Sequence, residues 1–280
     1  MKGICLLLTL ALFNFARPVY AGVHFSEFKF QPDKSYAIEI FHKHIMKFRF
    51  NNPDDEGAVP PERVIPLENQ VLFKATLRTY PVTDEHVMPV KMYLDNFATL
   101  IKRGKQMIPQ NERANNELKG KEYFGVLDTT GTITFTGGKS GEGTVPAGDA
   151  SVFKLLDMIP ALPAGKYEIG SVLAMDTNGK FVSSGEPGTT IALIYTIMEQ
   201  TGDEVHIDII DPTPPRQAAA GSEELRPGTT GNLVYSLKDK ICASVYLNTV
   251  YNSEPGNEEL KEKGVVVNDR VFRIHVDVVE

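Results

Sequence analysis

Alternation of apolar and polar residues recurs along most of this 280-residue chain, and its longest run is Ser35–Phe50. Every second residue from Tyr36 to Phe50 is apolar or histidine, whereas charged residues such as Lys43 and Lys47 occupy the positions between them. Because successive side chains of a β-strand point to opposite faces, this pattern predicts a strand with one buried side. Such a strand must pack with others of its kind, which constrains the fold strongly.

Shorter alternating segments follow this strand along the chain, and turn-forming residues separate them. Lys121–Asp128 and Thr132–Thr136 are predicted to form a hairpin, and so are Thr189–Glu199 and Glu204–Ile210. Val265–Val279 alternates again and ends the pattern. Since most connections between these segments are short, the predicted sheet is largely antiparallel.

Four segments depart from clear alternation. Ser26–Gln31 is predicted as a short first strand, and Lys166–Asp176 as one strand after a pair of prolines. Lys102–Gly120 and Asn252–Lys263 are polar and are predicted as loops, the first of them mobile.

The apolar residues change period only near residues 149–159. Asp149 is a candidate N-cap, Val152, Phe153, Leu156 and Ile159 follow at helical spacing, and the prolines after Ile159 end the pattern. One short helix is therefore predicted there, after the glycine-rich loop 137–143.

The predicted fold class is mainly β: a curled antiparallel sheet, an open or half β-barrel of about 11–12 strands, with one short helix near 149–159. No linker divides the chain after its first 21 residues, so residues 22–280 are predicted to form a single domain.

Residues 1–21 have the features of a secretory signal peptide, with an apolar run Ile4–Phe15 and small residues before a predicted cut after Ala21. The protein is therefore expected to be exported and soluble, in the periplasm or outside the cell. Cys5 would leave with this segment, so Cys242 would be the one cysteine of the mature chain, and an internal disulfide is excluded.

Charge restricts the partners. The chain has a net charge of −7, and removal of Lys2 and Arg17 with the signal segment would bring it to −9. Nucleic acids and anionic membrane surfaces attract basic proteins, so neither is expected as a partner. The apolar runs are too short for a membrane-spanning helix, and no cofactor is predicted.

The candidate catalytic motifs are weak. Gly138–Ser140 resembles the end of a phosphate-binding loop but lacks the preceding glycine, and Ser151–Lys154 matches Ser-x-x-Lys without its partner motifs in the required order. His42 and His44 share one face of a strand and are weak candidates for metal ligands; a polar spot in the lumen of a barrel, and a bulge that exchanges the faces of the strand, are the alternatives. No activating base neighbours Cys242 in the sequence, which favours an inert thiol. No enzymatic activity is predicted.

Four segments of the chain carry a resemblance: Lys154–Leu156, Ile159–Gly170, Ile194–Thr196 and Thr229–Asn232. They resemble segments of a family of uncharacterised secreted bacterial β proteins. That family is similar to periplasmic lipoprotein carriers of the LolA/LolB type. The resemblance implies an antiparallel half-barrel that curls over helices and accepts acyl chains in an apolar concavity.

The predicted function is binding of an apolar or amphipathic ligand, such as a lipid or acyl chain, in the concave face of the sheet, without catalysis. One helix is little cover for so many one-sided strands, and uncovered apolar surface is often a binding site. The predicted lining residues are Tyr36, Ile38, Ile40, Phe48, Phe73, Leu77 and Phe153.

Three alternatives remain at this point. The chain could be a structural or protein-interaction component of the cell envelope whose barrel is filled by its own side chains. It could be a hydrolase or metal enzyme built around His42 and His44, or a membrane-embedded barrel.

Overall fold

The computed structural model describes residues 22–52, 66–136, 152–182, 190–212 and 228–279. The predicted signal peptide 1–21, the glycine-rich loop 137–143, the candidate cap Asp149 and the start of the Ser151–Lys154 motif lie outside these ranges. The strands in the described ranges are β1 (Val23–Phe25), β2 (Ser35–Phe50), β3 (Leu67–Thr79), β4 (Met88–Arg103), β5 (Gln106–Gln110), β6 (Glu122–Leu127), β7 (Ile133–Thr136), β8 (Gly165–Tyr167), β9 (Val172–Asp176), β10 (Phe181–Val182), β11 (Ile191–Thr201), β12 (Glu204–Ile210), β13 (Gly228–Ser236), β14 (Ile241–Ser253) and β15 (Gly264–Val279). The helices there are α1 (Glu112–Leu118) and α2 (Glu258–Lys261).

Thirteen strands form one antiparallel sheet. Twelve of them lie in the order β10–β9–β11–β12–β13–β14–β15–β2–β3–β4–β6–β7, and the thirteenth, β5, pairs with the C-terminal part of β4 beyond β6. Strands β1 and β8 form a separate antiparallel pair. Among the described strands, the edges β10 and β7 pair with different neighbours, so the sheet is not closed into a barrel. The predicted mainly β, open antiparallel fold is confirmed.

Strand β2 lies near the middle of the sheet and sets the orientation of its neighbours. It pairs with β15 from Ser35 opposite Val279 to Phe50 opposite Gly264, without a register shift. Its pairing with β3 is also continuous, from Ser35 to Met46. Because no bulge interrupts β2, every second side chain from Tyr36 to Phe50 lies on one face, as the alternation predicts.

One face of the sheet carries the hydrophobic core, and we call it the inner face. Two segments of the chain cover it: Val23–Phe30, and the turn around residues 152–162. Val23, Phe25 and Phe30 are at most 1% exposed, and so is Leu156 in the 3-10 turn Leu156–Met158. These segments fill the space over part of the inner face with side chains of the chain itself.

The sheet must curve around this core. Twelve flat strands side by side at about 4.8 Å spacing would be roughly 55 Å wide, far wider than two short covering segments. Yet one cluster of buried residues includes Leu173 of β9, Ile38 of β2 and Ile133 of β7. Curvature brings these distant strands around the same covering side chains.

The predicted first strand Ser26–Gln31 is wrong, because the strand is Val23–Phe25 and bends follow it. Ser26 turns its hydroxyl back onto the chain and donates to the Phe28 carbonyl oxygen at 2.6 Å. Such local side-chain bonds compete with sheet pairing. The bend directs Phe28 and Phe30 into the core.

The predicted loop Lys102–Gly120 is also wrong, because it contains the end of β4, all of β5 and α1. Gly104, with φ of +62°, allows the tight turn between β4 and β5. The buried amide of Asn115 donates to the Gln110 carbonyl oxygen at 2.8 Å and anchors α1. The polar composition of this segment gave no sign of a helix. The helix is stabilised by the side-chain amide of Asn115 and by burial of Leu118, which is 7% exposed.

Three smaller differences concern breaks and helical turns. The predicted strand Lys166–Asp176 is divided into β8 and β9 by a turn at Gly170, where φ is +88°. The predicted loop Asn252–Lys263 contains α2, whose first turn is capped by the Asn257 side chain. In the predicted helix near 149–159, Val152 and Phe153 are helical and a 3-10 turn follows. No helix in the described ranges has the length and apolar character needed to cross a membrane.

Candidate functional site

The inner face changes character halfway along β2. Tyr36, Ile38 and Ile40 are at most 2% exposed, whereas every inner-face side chain from His42 to Phe50 is only half-buried. The same change occurs on the neighbouring strands, where Phe73 is 1% exposed and Val71 is half-buried. We call this second part the half-buried region. It comprises the inner-face side chains of β2 from His42 to Phe50 and their partners on β3 and β15. These partners include the half-buried Leu67, Asn69, Val71, Val266, Arg270 and Phe272, and the fully buried Asn268.

The predicted lining residues divide between these two parts. The structure places Tyr36, Ile38, Ile40, Phe73, Leu77 and Phe153 in the filled core. Covering segments contact some of them directly: the rings of Phe30 and Tyr36 lie 4.8 Å apart. Phe48 alone of the predicted set lies in the half-buried region, where its ring is 4.8 Å from that of Phe50.

A polar row crosses the half-buried region. Arg270 of β15, His44 of β2 and Asn69 of β3 are direct cross-strand partners. His42 lies two residues from His44 on the same face, and its ring stacks on Phe272 with centroids 4.1 Å apart. Neighbouring strands lie about 4.8 Å apart, so the row spans roughly 10 Å. It is a polar spot within an otherwise largely apolar surface.

Three side-chain atoms of this row and its neighbour are buried without a hydrogen-bond partner among the described residues. They are His42 Nε2, Asn69 Oδ1 and Arg270 Nε. Each unsatisfied buried polar group costs about 1–3 kcal/mol, and each therefore requires an explanation. The other two such atoms, Asn248 Oδ1 and Asp269 Oδ1, lie on the opposite, outer face of the sheet.

Other atoms in and beside the polar row have partners. His44 Nε2 lies 2.9 Å from Asn268 Oδ1, and Asn268 is 3% exposed. The Asn268 amide in turn donates to Ser253 Oγ at 2.9 Å. The guanidinium of Arg270 lies 5.0 Å from the ring centre of Tyr251, a cation–π contact. These contacts fix the positions of His44 and Arg270. They provide no hydrogen bond, among the described residues, to His42 Nε2, Asn69 Oδ1 or Arg270 Nε.

The electrostatics of the row keep His42 neutral at physiological pH. Burial, the positive charge of Arg270 and the neighbouring His44 together lower the pKa of His42 to about 4. The rings of His42 and His44 stack with centroids 6.3 Å apart. In the part of the chain that the structure describes, no group of three or more His, Cys, Asp or Glu side chains could hold a metal ion.

Sequence reasoning missed Asn69, Asn268 and Arg270. The signal was present in the alternation, because Arg270 and Asn268 continue the apolar series of Phe272 and Ile274 on β15. In the same way, Asn69 continues the series of Val71 and Phe73 on β3. A polar residue at a position that the alternation assigns to the inner face is the feature that identifies this site.

A second polar group lies within the filled core. Lys29 is 6% exposed, and its Nζ donates to the Leu156 carbonyl oxygen at 3.2 Å. Burial lowers the pKa of Lys29 to about 8, although Asp157 opposes the shift. Burial raises the pKa of the Cys242 thiol to about 12, and its Sγ lies 3.4 Å from the Pro160 carbonyl oxygen.

The outer face has a small depression over the middle of the sheet, with a volume of about 170 Å³. Phe41, Leu72 and Arg273 line it, together with the Lys74–Glu39 ion pair. Pockets for small organic ligands are typically about 300–1,000 Å³, so this depression is small for an acyl chain.

Comparison with known proteins supports the architecture. No family model matches the chain, and no curated protein matches it. The predicted relation to the LolA/LolB type therefore stays a prediction. A solved structure of lipovitellin, which describes its lipid–protein interactions, aligns over 89% of this chain and 25% of its own, with 11% identity and a TM-score of 0.52. An acetoacetate decarboxylase-like enzyme from Sphingomonas wittichii RW1 aligns with 9% identity over 89% of this chain and 94% of its own, but its TM-score of 0.12 carries no argument. This chain thus covers a quarter of the lipovitellin chain, and the likeness is one of fold.

Proposed function

We propose that this protein binds the apolar part of an amphipathic ligand, such as an acyl chain, against the half-buried region, and that it performs no catalysis there. The observation that carries the proposal is the change along β2 from buried Ile40 to half-buried Met46, Phe48 and Phe50 on the same face. A sheet that leaves contiguous apolar side chains partly open presents a surface that a ligand can cover. The fold shared with lipovitellin, a protein whose solved structure is described for its lipid–protein interactions, supports this proposal.

Met46 and Leu67 are cross-strand partners, and so are Phe48 and Val266. Together with Phe50 they form a continuous apolar surface over three adjacent strands. An extended acyl chain needs such a strip and few polar contacts.

A fluorescent fatty acid provides a direct test. Phe48→Gln should weaken its binding about fivefold or more, because about 1 kcal/mol of apolar contact is lost. Phe41→Gln is the matched control, since Phe41 is a half-buried phenylalanine of the same strand on the outer face. Equal affinity of the Phe48→Gln variant and the unmodified protein would contradict the proposal. Loss of binding only in Phe41→Gln would place the ligand in the outer depression instead.

A second candidate function is a structural or protein-interaction role for a barrel-like sheet that is filled by its own side chains. One observation favours it: six of the seven predicted lining residues lie in the filled core. Native mass spectrometry after mild purification distinguishes the two functions. Protein without co-purified lipid that also fails to bind the fluorescent fatty acid would select the structural role.

We also infer that the chain is exported through residues 1–21. The apolar run Ile4–Phe15 and the small residues that end at Ala21 support this inference. N-terminal sequencing of protein produced from the whole chain in a bacterial host should find Gly22 as the first residue. An intact Met1 on the purified protein would contradict it.

A further inference from the structure

We propose that Arg270, His44 and Asn69, with His42 beside them, bind an anionic head group, a carboxylate or a phosphate, on the ligand whose apolar part lies along the half-buried region. This inference rests on the proposed function and adds the chemistry of the ligand's polar end.

The first support is the position of the orphaned atoms. Arg270 Nε, Asn69 Oδ1 and His42 Nε2 are buried without partners, and they belong to adjacent positions on three neighbouring strands. Scattered unsatisfied atoms would be individual defects, whereas three together on one face outline the place of one absent polar group. Buried polar groups in native proteins are nearly always bonded to protein, water or ligand.

The second support is the distribution of charge. The row across the inner face from β14 to β4 consists of Thr249, Arg270, His44, Asn69 and Ile101, and these described positions include no acid. The same holds for the flanking partners of His42 and of Met46 on β3 and β15. In a chain with a net charge of −7, Arg270 therefore faces inward without a carboxylate in its own or the adjacent rows.

The nearest acids along these strands lie on the other side of the sheet. Asp269 and Glu68 are each one residue from a member of the row, and alternation places them on the outer face. Glu68 is bonded there by Lys43 at 3.1 Å and by Lys102 at 3.0 Å. An inward guanidinium without such compensation is suited to an anionic ligand, since guanidinium binds carboxylate and phosphate oxygens directionally.

The remaining members of the row can adapt to an anion. The amide of Asn69 can rotate so that its Nδ2 donates where Oδ1 now lies. Neutral His42 can present an N–H at Nε2, and its ring is fixed by stacking on Phe272. The apolar side chains of Met46 and Phe48 continue along β2 from His44, so the ligand's chain would extend from the row toward Phe50.

Isothermal titration with three ligands of equal chain length tests this proposal: decanoate, decyl phosphate and decanol. We expect the unmodified protein to bind at least one of the anions about tenfold or more tightly than decanol, because a hydrogen bond to a charged group adds that much. Preference for decanoate or for decyl phosphate identifies the head group. Arg270→Gln should abolish the preference, because it should weaken binding of the anion far more than binding of decanol. Arg113→Gln on α1, an exposed site with the same change of charge, should preserve the preference.

Asn69→Asp provides a nearly isosteric second variant in case Arg270→Gln does not fold. It should weaken binding of the anion about tenfold and weaken binding of decanol far less. If decanol and the anions bind equally well, or if both variants retain the preference, the head-group assignment is wrong while the proposed function stands. If none of the three ligands binds, the proposed function itself fails.

Discussion

Lys29 Nζ donates a hydrogen bond to the carbonyl oxygen of Leu156 at 3.2 Å, and this bond joins the two segments that cover the core. The ammonium group is buried, and burial lowers its pKa from 10.5 to about 8. An unfolded chain holds this proton up to about pH 10.5, so the unfolded state binds more protons than the folded state between pH 8 and 10.5. The free energy of unfolding therefore rises with pH across this window. The stability linked to Lys29 is fully present above pH 10.5 and is lost as the pH falls to about 8.

Lys29→Met should remove this contribution to the pH dependence. In urea unfolding at pH 7.5 and 9.5, we expect the free energy of unfolding to gain more on raising the pH in the unmodified protein than in the variant. Lys119→Met, at the exposed end of α1, is the control and should behave like the unmodified protein. Identical pH dependence in all three proteins would show that Lys29 is not buried as described.

Gly131 should tolerate alanine poorly, because two effects act on it. Its φ of +82° disfavours any side chain, and an added Cβ would meet the Cβ of Ala161. Gly179 has a φ of +78° with open space around it, so Gly179→Ala measures the backbone effect alone, about 1–2 kcal/mol. Gly131→Ala should lower the free energy of unfolding by more than Gly179→Ala. Equal losses in chemical denaturation would contradict the contact between this hairpin and the covering turn.

Leu77 and Leu67 lie on the same face of β3 but in different parts of it. Leu77 is fully buried in the filled core, and Leu67 is half-buried opposite Met46. Leu77→Ala should cost about 2–5 kcal/mol of stability, because a cavity remains in a packed core. Leu67→Ala should cost less than half as much in the same urea titration. Comparable losses would indicate that the half-buried region is packed like the core.

The Cys242 thiol should be inert in the folded protein. It is 3% exposed, and its pKa is raised to about 12 by burial, so little thiolate forms near neutral pH. Ellman's reagent at pH 8 should react within minutes in 8 M urea and far more slowly in buffer. Rapid reaction under native conditions would show that the covering turn around Pro160 opens readily.

Alternation carried most of the information about the fold. The bounds of β2, and the hairpins β6–β7 and β11–β12, follow from residue pattern and turn chemistry, because both are local properties. The strand β5 and the helix α1 do not, because one buried amide, Asn115, and one leucine, Leu118, decide them through contacts made only after folding.

The site shows the same limit. Alternation predicts that Phe48 lies on the inner face. It does not predict how deeply Tyr36 and Leu77 are buried, because their burial depends on where Val23–Phe30 crosses the sheet. Cys242 illustrates a further limit, since the alternation sets it apart from Val245 and Leu247. A register shift between Val234 and Tyr235 in the β13–β14 pairing adds one residue, and this bulge directs Cys242 into the core.

Strands β2 and β15 meet near the centre of the sheet, although they come from opposite ends of the described chain. The pairing of β2 with β15 therefore cannot form during synthesis until β15 has emerged. Pairing between strands that are far apart in the sequence slows folding, and until it occurs β2 has no neighbour on the β15 side. A nascent chain of this design lacks the contact between the two halves of its sheet until β15 has been synthesised.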